Sequence, residues 1–269
     1  MSGVVVRAAG LITGWGRGVT ALPPDARAAA GSRRVIAVTA TPRTGDRLRR
    51  ATRECVLAVD AVDALLEEGA LSRDEIAGDG TALVYVTAAA YVASNRTFVE
   101  GGGGALHFPY TAPSAVPAEV AIEFGLHGPY AVLIGGARAT VDALTHAATL
   151  LARGACRQAL VLSVETFAAC EDLFTRGGAL GEGPLVEAAA AVLLQPSENM
   201  PNIGEGDPES MRGGLGVGNT LACAPLVALA RARARARGTR EIVLAGQWRE
   251  RVATITLGVD GPGPRPGAA

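Results

Sequence analysis

Acyl chemistry needs a nucleophile and a nearby site that stabilises negative charge, and one junction in this sequence has the form of such a site. From Gly128 to Leu144 an apolar run, Tyr130 to Ile134, turns through Gly135 and Gly136 into a helical pattern beginning at Ala137. A strand that turns this sharply aims the free N–H groups of the next helix at a cleft, where they would stabilise a thiolate or an oxyanion. No nucleophile stands at the turn, because Gly135, Gly136 and Ala137 occupy it and the nearest hydroxyl is Thr140, one turn further in. On spacing alone, tight strand-to-helix packing accounts for the two glycines. Other reactive groups are scattered. Ser163 lies in an apolar run, and Cys170 is the cysteine nearest a strand end. Glu165 could act as a base, although a strand-end acid capping the next helix is the plainer reading. His146 has neither metal nor triad spacing and reads as a helix-surface or core histidine. Arg231, Arg233, Arg235 and Arg237 alternate with alanine ahead of Gly238. They suit the C-terminal end of a helix dipole, or alternatively a docking platform for an acidic partner.

Composition removes several chemistries. All 25 basic side chains are arginine, so no lysine is available for a Schiff base or for a phosphate-binding loop of the GxxxxGK[ST] kind. With 26 acidic residues the net charge is −1, which gives no indication of nucleic-acid binding. Gly14-Trp-Gly-Arg-Gly18 does not match the dinucleotide fingerprint. No cofactor and no metal site is expected. The Met1–Arg7 segment lacks a basic region ahead of its valines and so is not expected to be a signal peptide. No apolar run reaches the length of a membrane span. Cys55, Cys156, Cys170 and Cys223 lie far apart without CxxC spacing, and are expected to be reduced thiols of a cytoplasmic protein.

The elements that must position the elbow follow from periodicity. Val4–Ala9, Val35–Ala40, Thr81–Thr87, Tyr130–Ile134, Gln158–Val164 and Val186–Leu194 read as strands. Asp46–Gly69, Ala118–Gly125, Ala137–Arg153 and Ala224–Arg237 read as helices, and Ser72 to Glu75 has capping-box spacing. Gly101–Pro117 is expected to be mostly loop. Two further strands are expected near Glu241–Ala245 and Ala253–Leu257. Strands alternating with helices argue for a mostly parallel sheet covered on both faces. Four parts are expected: residues 1–194, a Pro/Gly-rich connection at 195–217, a short final part at 218–259, and a disordered tail at 260–269.

Several stretches in order resemble the β-ketoacyl synthases of the thiolase superfamily: the strand and glycine turn of Val4 to Gly18, the approach segment Pro113 to Pro129, the elbow itself, the Val161–Glu165 strand, and Gly181-Glu182-Gly183 ahead of an apolar strand. The resemblance implies an α/β thiolase-like fold of mostly parallel sheets layered with helices, with residues 218–259 as a truncated second half. It also places Ala137 where that family carries its nucleophilic cysteine. Gly218-Asn219-Thr-Leu221 resembles a Gly-His-Thr-Leu motif, with Asn219 in the place of a histidine.

With those groups and the family's lysine missing, the chain resembles the chain-length-factor subunits of type II polyketide systems, and in particular the shortened ketosynthase-like partners of polyene-forming pairs. The resemblance implies that a catalytic ketosynthase and an acyl carrier protein are its partners, and that Tyr130–Ile134 lies at the subunit interface. By the same resemblance Tyr110, Ser114, Pro117 and Val120 line or close an acyl channel, and the arginine run docks the carrier protein. Two alternatives stay open: a stand-alone acyltransferase or hydrolase using Thr140, Ser163 or a cysteine, and a homodimeric binding or scaffold module.

Overall fold

The computed structural model describes residues 3–39, 48, 51–102, 104–176, 183–197, 217–238, 240–248 and 251–261. The strands are β1 (Gly3–Thr13), β2 (Gly16–Arg17), β3 (Val35–Ile36), β4 (Thr81–Thr87), β5 (Tyr130–Ile134), β6 (Gln158–Glu165), β7 (Leu185–Val186), β8 (Ala188–Ser197), β9 (Arg240–Trp248) and β10 (Arg251–Val259). The helices are α1 (Ala26–Ala30), α2 (Arg53–Gly69), α3 (Arg73–Ile76), α4 (Val92–Val99), α5 (Ala115–Phe124), α6 (Ala137–Ala152), α7 (Glu171–Arg176) and α8 (Ala224–Arg235).

The main sheet runs β5-β4-β6-β8-β1-β10-β9, with β2 paired to β1 and a small β3-β7 ladder beside it. The sheet is mixed, which corrects the expectation of a mostly parallel one. β5, β4 and β6 are parallel, and β1 is parallel to β10, but β8 runs against both β6 and β1 and β9 runs against β10. Burial explains how the sequence misled. β4, β6 and the first seven residues of β8 are buried throughout. Their continuous apolar runs therefore look like parallel strands whichever way they point. Alternate residues of these strands face two cores. Ala82, Val84, Val86, Val161 and Val192 pack beneath α6 and α8, whereas Leu83, Tyr85, Leu160, Leu162 and Leu193 pack beneath α2 and α5.

Local chemistry sets the element boundaries. Helix α2 starts at Arg53, later than expected, behind Thr52 in an extended conformation, and ends with Ala70 in the left-handed region at φ 49°. It lies so close to β1 that a Cβ on Gly10 would come within 2.0 Å of the Ala61 carbonyl oxygen. The Ser72–Glu75 capping box forms, with the Ser72 N–H donating to Glu75 Oε2 at 2.7 Å. The run expected at 186–194 splits at Glu187 into β7 and β8, and that expected at Val35–Ala40 is ladder-paired only over Val35–Ile36. Within Gly101–Pro117, a 3-10 turn at Phe108–Thr111 interrupts the loop and α5 already begins at Ala115. Residues 218–259 supply α8 and the β9–β10 hairpin, which extends the first sheet past β1. The outward face of α6 is polar (Arg138, Asp142, Thr145, His146, Thr149), as befits a helix layer that faces solvent.

Most of the 195–217 connection lies outside the described residues, as do Gly181, Glu182 and residues 262–269. At the expected start of the tail, the Asp260 carbonyl accepts a hydrogen bond from Arg233 Nη1 at 2.6 Å.

Candidate functional site at the strand–helix elbow

The elbow forms where the sequence places it. β5 occupies the edge of the sheet, the Gly135 N–H donates to the Thr87 carbonyl at 3.0 Å, and Gly136 is the N-cap of α6. Ala137 is the first helical residue and presents only a methyl group. The C-terminal part of the chain lies against this junction. Thr140 is fully buried and donates to the Ala222 carbonyl at 2.6 Å. On the other side, a Cβ on Gly246 of β9 would stand 2.4 Å from the Ala137 carbonyl oxygen. Asn219 sits in the adjoining turn, its N–H on the Pro184 carbonyl and its Oδ1 accepting from the Leu221 N–H at 3.1 Å.

None of the other candidate nucleophiles is exposed. Ser163 is fully buried and accepts from Cys223 Sγ at 3.3 Å. Cys170 is 2% exposed, and burial pushes its thiol pKa up. Burial also raises Cys55, to about 12, and Cys156, and it takes Cys223 well above the ordinary range. A thiolate is therefore disfavoured at every cysteine. Of the histidines, His146 and His127 are exposed, and His107 bonds the Ser94 carbonyl at 3.0 Å. Among the described residues no group of three His, Cys, Asp or Glu side chains could hold a metal, and no helix is long and apolar enough to cross a membrane.

Two buried glutamates organise this end of the sheet. Contrary to the expectation, Glu165 does not cap the segment that follows it. It accepts the Ala88 and Ala89 N–H groups at 2.6 and 3.0 Å, across the sheet at the end of β4. The segment that follows is held instead by Glu187, which the sequence reading missed. Glu187 Oε1 accepts the Phe167 and Ala168 N–H groups at 2.8 and 2.9 Å, and Oε2 accepts the Val38 N–H at 2.8 Å. Arg53 forks onto both oxygens, at 3.1 and 2.5 Å. Burial alone would raise the Glu187 pKa, but the Arg53 guanidinium and the backbone donors hold it below the ordinary value. The available signal was a single acid interrupting an apolar run, Leu185-Val-Glu-Ala-Ala-Ala-Ala191.

The expected channel residues separate into two groups. Pro117 and Val120 are buried, Val120 within the core beneath α2 and α5. Ser114 is exposed, and half-buried Tyr110 donates its hydroxyl to Glu119 Oε1 at 3.1 Å. Of the arginine run, Arg235 and Arg237 are exposed and Arg231 is half-buried. Arg233 is 1% exposed, with Nε paired to Glu68 at 2.7 Å and Nη1 on the Val6 and Asp260 carbonyls. Arg233 therefore leaves the expected docking patch. A groove of about 820 Å³ opens away from the elbow, between the turn after β1 and α2, lined by Trp15, Val38, Leu57, Asp60 and Leu66 among others.

Residues 40–177, just over half of the 269, match the N-terminal domain of β-ketoacyl synthases, and the chain belongs to that family. No curated protein matches the sequence. Among solved structures, the ishigamide ketosynthase/chain length factor superposes with a TM-score of 0.72 at 16% identity, over 96% of this chain and 99% of that one. An oxazolomycin ketosynthase domain from Streptomyces albus JA3453 gives 0.68 at 13% identity, over 98% and 75%. A type II polyketide acyl-carrier protein in complex with its ketosynthase gives 0.58 at 19%, over 73% and 63%. At these identities the likeness is one of fold, and the thiolase-like layering of a mixed sheet between helices is shared.

Proposed function

We propose that this chain is a non-condensing, chain-length-factor-type subunit that pairs with a catalytic β-ketoacyl synthase in type II polyketide, polyene or fatty-acid-like assembly and shapes the acyl channel between them. The observation that carries the reading is Ala137, a methyl group at the first helical position of a family elbow, with every nearby hydroxyl and thiol buried. Claisen condensation needs a nucleophile to carry the acyl chain and donors for the developing enolate. Asn219, in place of a histidine, is committed to its own turn. The stand-alone acyltransferase reading has no support from Thr140, Ser163 or Cys170, all of which are buried.

Support for pairing comes from the sheet edge. β5 is a short edge strand with Tyr130 and Ile134 49% and 52% exposed. Ile122 on α5, and Leu106 and Phe108 ahead of it, are also exposed. An uncovered edge strand flanked by apolar side chains is a natural place for a second subunit to add on. Carrier-protein docking rests on the exposed Arg235 and Arg237. Likeness in fold to the ishigamide ketosynthase/chain length factor is consistent with this reading.

The test is co-expression with a ketosynthase encoded beside this chain. Expected are a 1:1 complex on size-exclusion chromatography, its loss in Ile134→Asp, and a change in product length when this subunit is omitted. A ketosynthase that neither co-purifies nor changes its product would overturn the proposal, and a stable homodimer of this chain alone would favour the scaffold reading instead.

A further inference from the structure

Glu165 and Glu187 lie at the same end of the sheet and both are fully buried, yet their surroundings differ in one respect. Glu187 has a guanidinium on both oxygens. Glu165 has none among the described residues. The groups facing it are neutral. From the end of β4 come the Thr87 hydroxyl, the Ala88 and Ala89 N–H groups and the Tyr85 phenol; from the 3-10 turn Leu221–Cys223 come the Ala222 N–H and the Cys223 thiol; and from β8 comes its register partner Ala188. Burial also pushes Tyr85 and Cys223 well above their ordinary values, so neither supplies charge near neutrality. The Tyr85 hydroxyl is buried and has no hydrogen-bond partner among the described residues.

A carboxylate buried without a cation is expensive, so burial favours its protonated form while the N–H donors favour the ionised one. For Glu165 burial outweighs the backbone donors and raises its pKa to about 8. The two turns it joins are not structurally independent of the rest of the chain. Ala88–Ala90 leads into α4, and Leu221–Cys223 carries the carbonyl that holds Thr140 behind the elbow.

We propose that Glu165 is a proton-operated latch: as a neutral acid it keeps the Ala88–Ala90 and Leu221–Cys223 turns closed, and when its proton passes to solvent the uncompensated anion draws in water and both turns open locally. This goes beyond the subunit reading and does not depend on it. The folded-state pKa lies above the unfolded value, so the closed form is fully favoured in acid and is lost as pH rises through about 8. Between the ordinary value of 4.5 and about 8, local opening grows by on the order of tenfold per pH unit, and above 8, where both forms are ionised, it levels off.

The experiment follows the isotope-labelled full chain from pH 5 to 9.5, reading the side-chain carboxyl ¹³C shift of Glu165 together with amide hydrogen exchange corrected for intrinsic rates. The expected result is a carboxyl midpoint near 8, with protection at 88–90 and 221–223 falling as pH rises from about 5 toward that midpoint and levelling off above it. Val38, Phe167 and Ala168, held by Glu187, should stay level and serve as the internal reference. In Glu165→Gln the pH dependence of exchange should vanish. If that variant does not fold, the wild-type titration still decides. A carboxyl midpoint below about 5, or exchange at the two turns that parallels the Glu187-held amides, would overturn the latch.

Discussion

Replacing Arg53 with methionine removes the cation from a carboxylate that is fully buried and keeps three backbone N–H donors. Removing one member of a buried ion pair typically costs about 3–5 kcal/mol, because the remaining charge is left without compensation. Two features reduce that here. The Arg53 side chain is 32% exposed, so part of its field is already screened, and the N–H donors continue to solvate Glu187. The expected loss is therefore about 2–3 kcal/mol, or a melting-temperature drop of roughly 5–10 °C for a chain of this size. The pH dependence gives the prediction its sign. Glu187 titrates below its ordinary value of 4.5, so its contribution is present above 4.5 and disappears as pH falls through the lower folded-state value. Urea denaturation at pH 7.5 and 4 should show a large deficit for Arg53→Met at the higher pH and a smaller one at the lower. Arg53→Lys, which keeps the charge but not the fork, should fall between. A methionine variant within about 0.5 kcal/mol of wild type at pH 7.5 would refute the reasoning, since a deficit that small is what a surface substitution gives.

Two further outcomes follow from the packing around the elbow. Gly246→Ala puts a methyl 2.4 Å from the Ala137 carbonyl oxygen, so β9 or the first turn of α6 must shift. A loss of about 1–3 kcal/mol is expected, with altered amide shifts at residues 136–140, and unchanged spectra there would show that the hairpin does not bear on the elbow. All four cysteines are buried, so Ellman's reagent at pH 8 should find no fast-reacting thiol in the native protein and four after denaturation. A single thiol reacting within seconds would contradict the burial and restore a nucleophile to the site.

What could be read from the sequence depended on whether the signal was local. β5 was expected at its observed limits because five apolar residues stand between Gly-Pro and Gly-Gly. The direction of β8 was hidden, since burial on both faces erases the alternation that marks an antiparallel strand. Helix α4 was missed because Val, Ser, Asn and Thr are indifferent helix formers. It is held by contacts distant in sequence, Asn95 Nδ2 to the Thr111 carbonyl and His107 to the Ser94 carbonyl. Arg233 looked like one more surface cation in an Ala-Arg repeat. Yet Leu226, Leu229, Ala230 and Arg233 share one helix face by spacing, and that face is buried. Ala137 and Asn219 needed no structure to be noticed, whereas the partners of Glu187 lie 19 to 149 positions from it, beyond the reach of any motif.

The position of β1 has a consequence for how the protein is made. This first strand lies inside the sheet, with residues 188–197 on one side and residues 251–259 on the other. At ordinary synthesis rates of about 5–20 residues per second, β1 leaves the ribosome on the order of ten to fifty seconds before its last neighbour exists. Until β8 emerges both of its valine-rich edges are open to any passing strand, and until β10 emerges one of them still is. The β9–β10 hairpin therefore covers the second edge of β1 as well as extending the sheet. A chain ending before residue 258 would leave that edge of β1 unpaired, a sticky margin at the centre of the sheet, and such a fragment should be found with chaperones and in inclusion bodies.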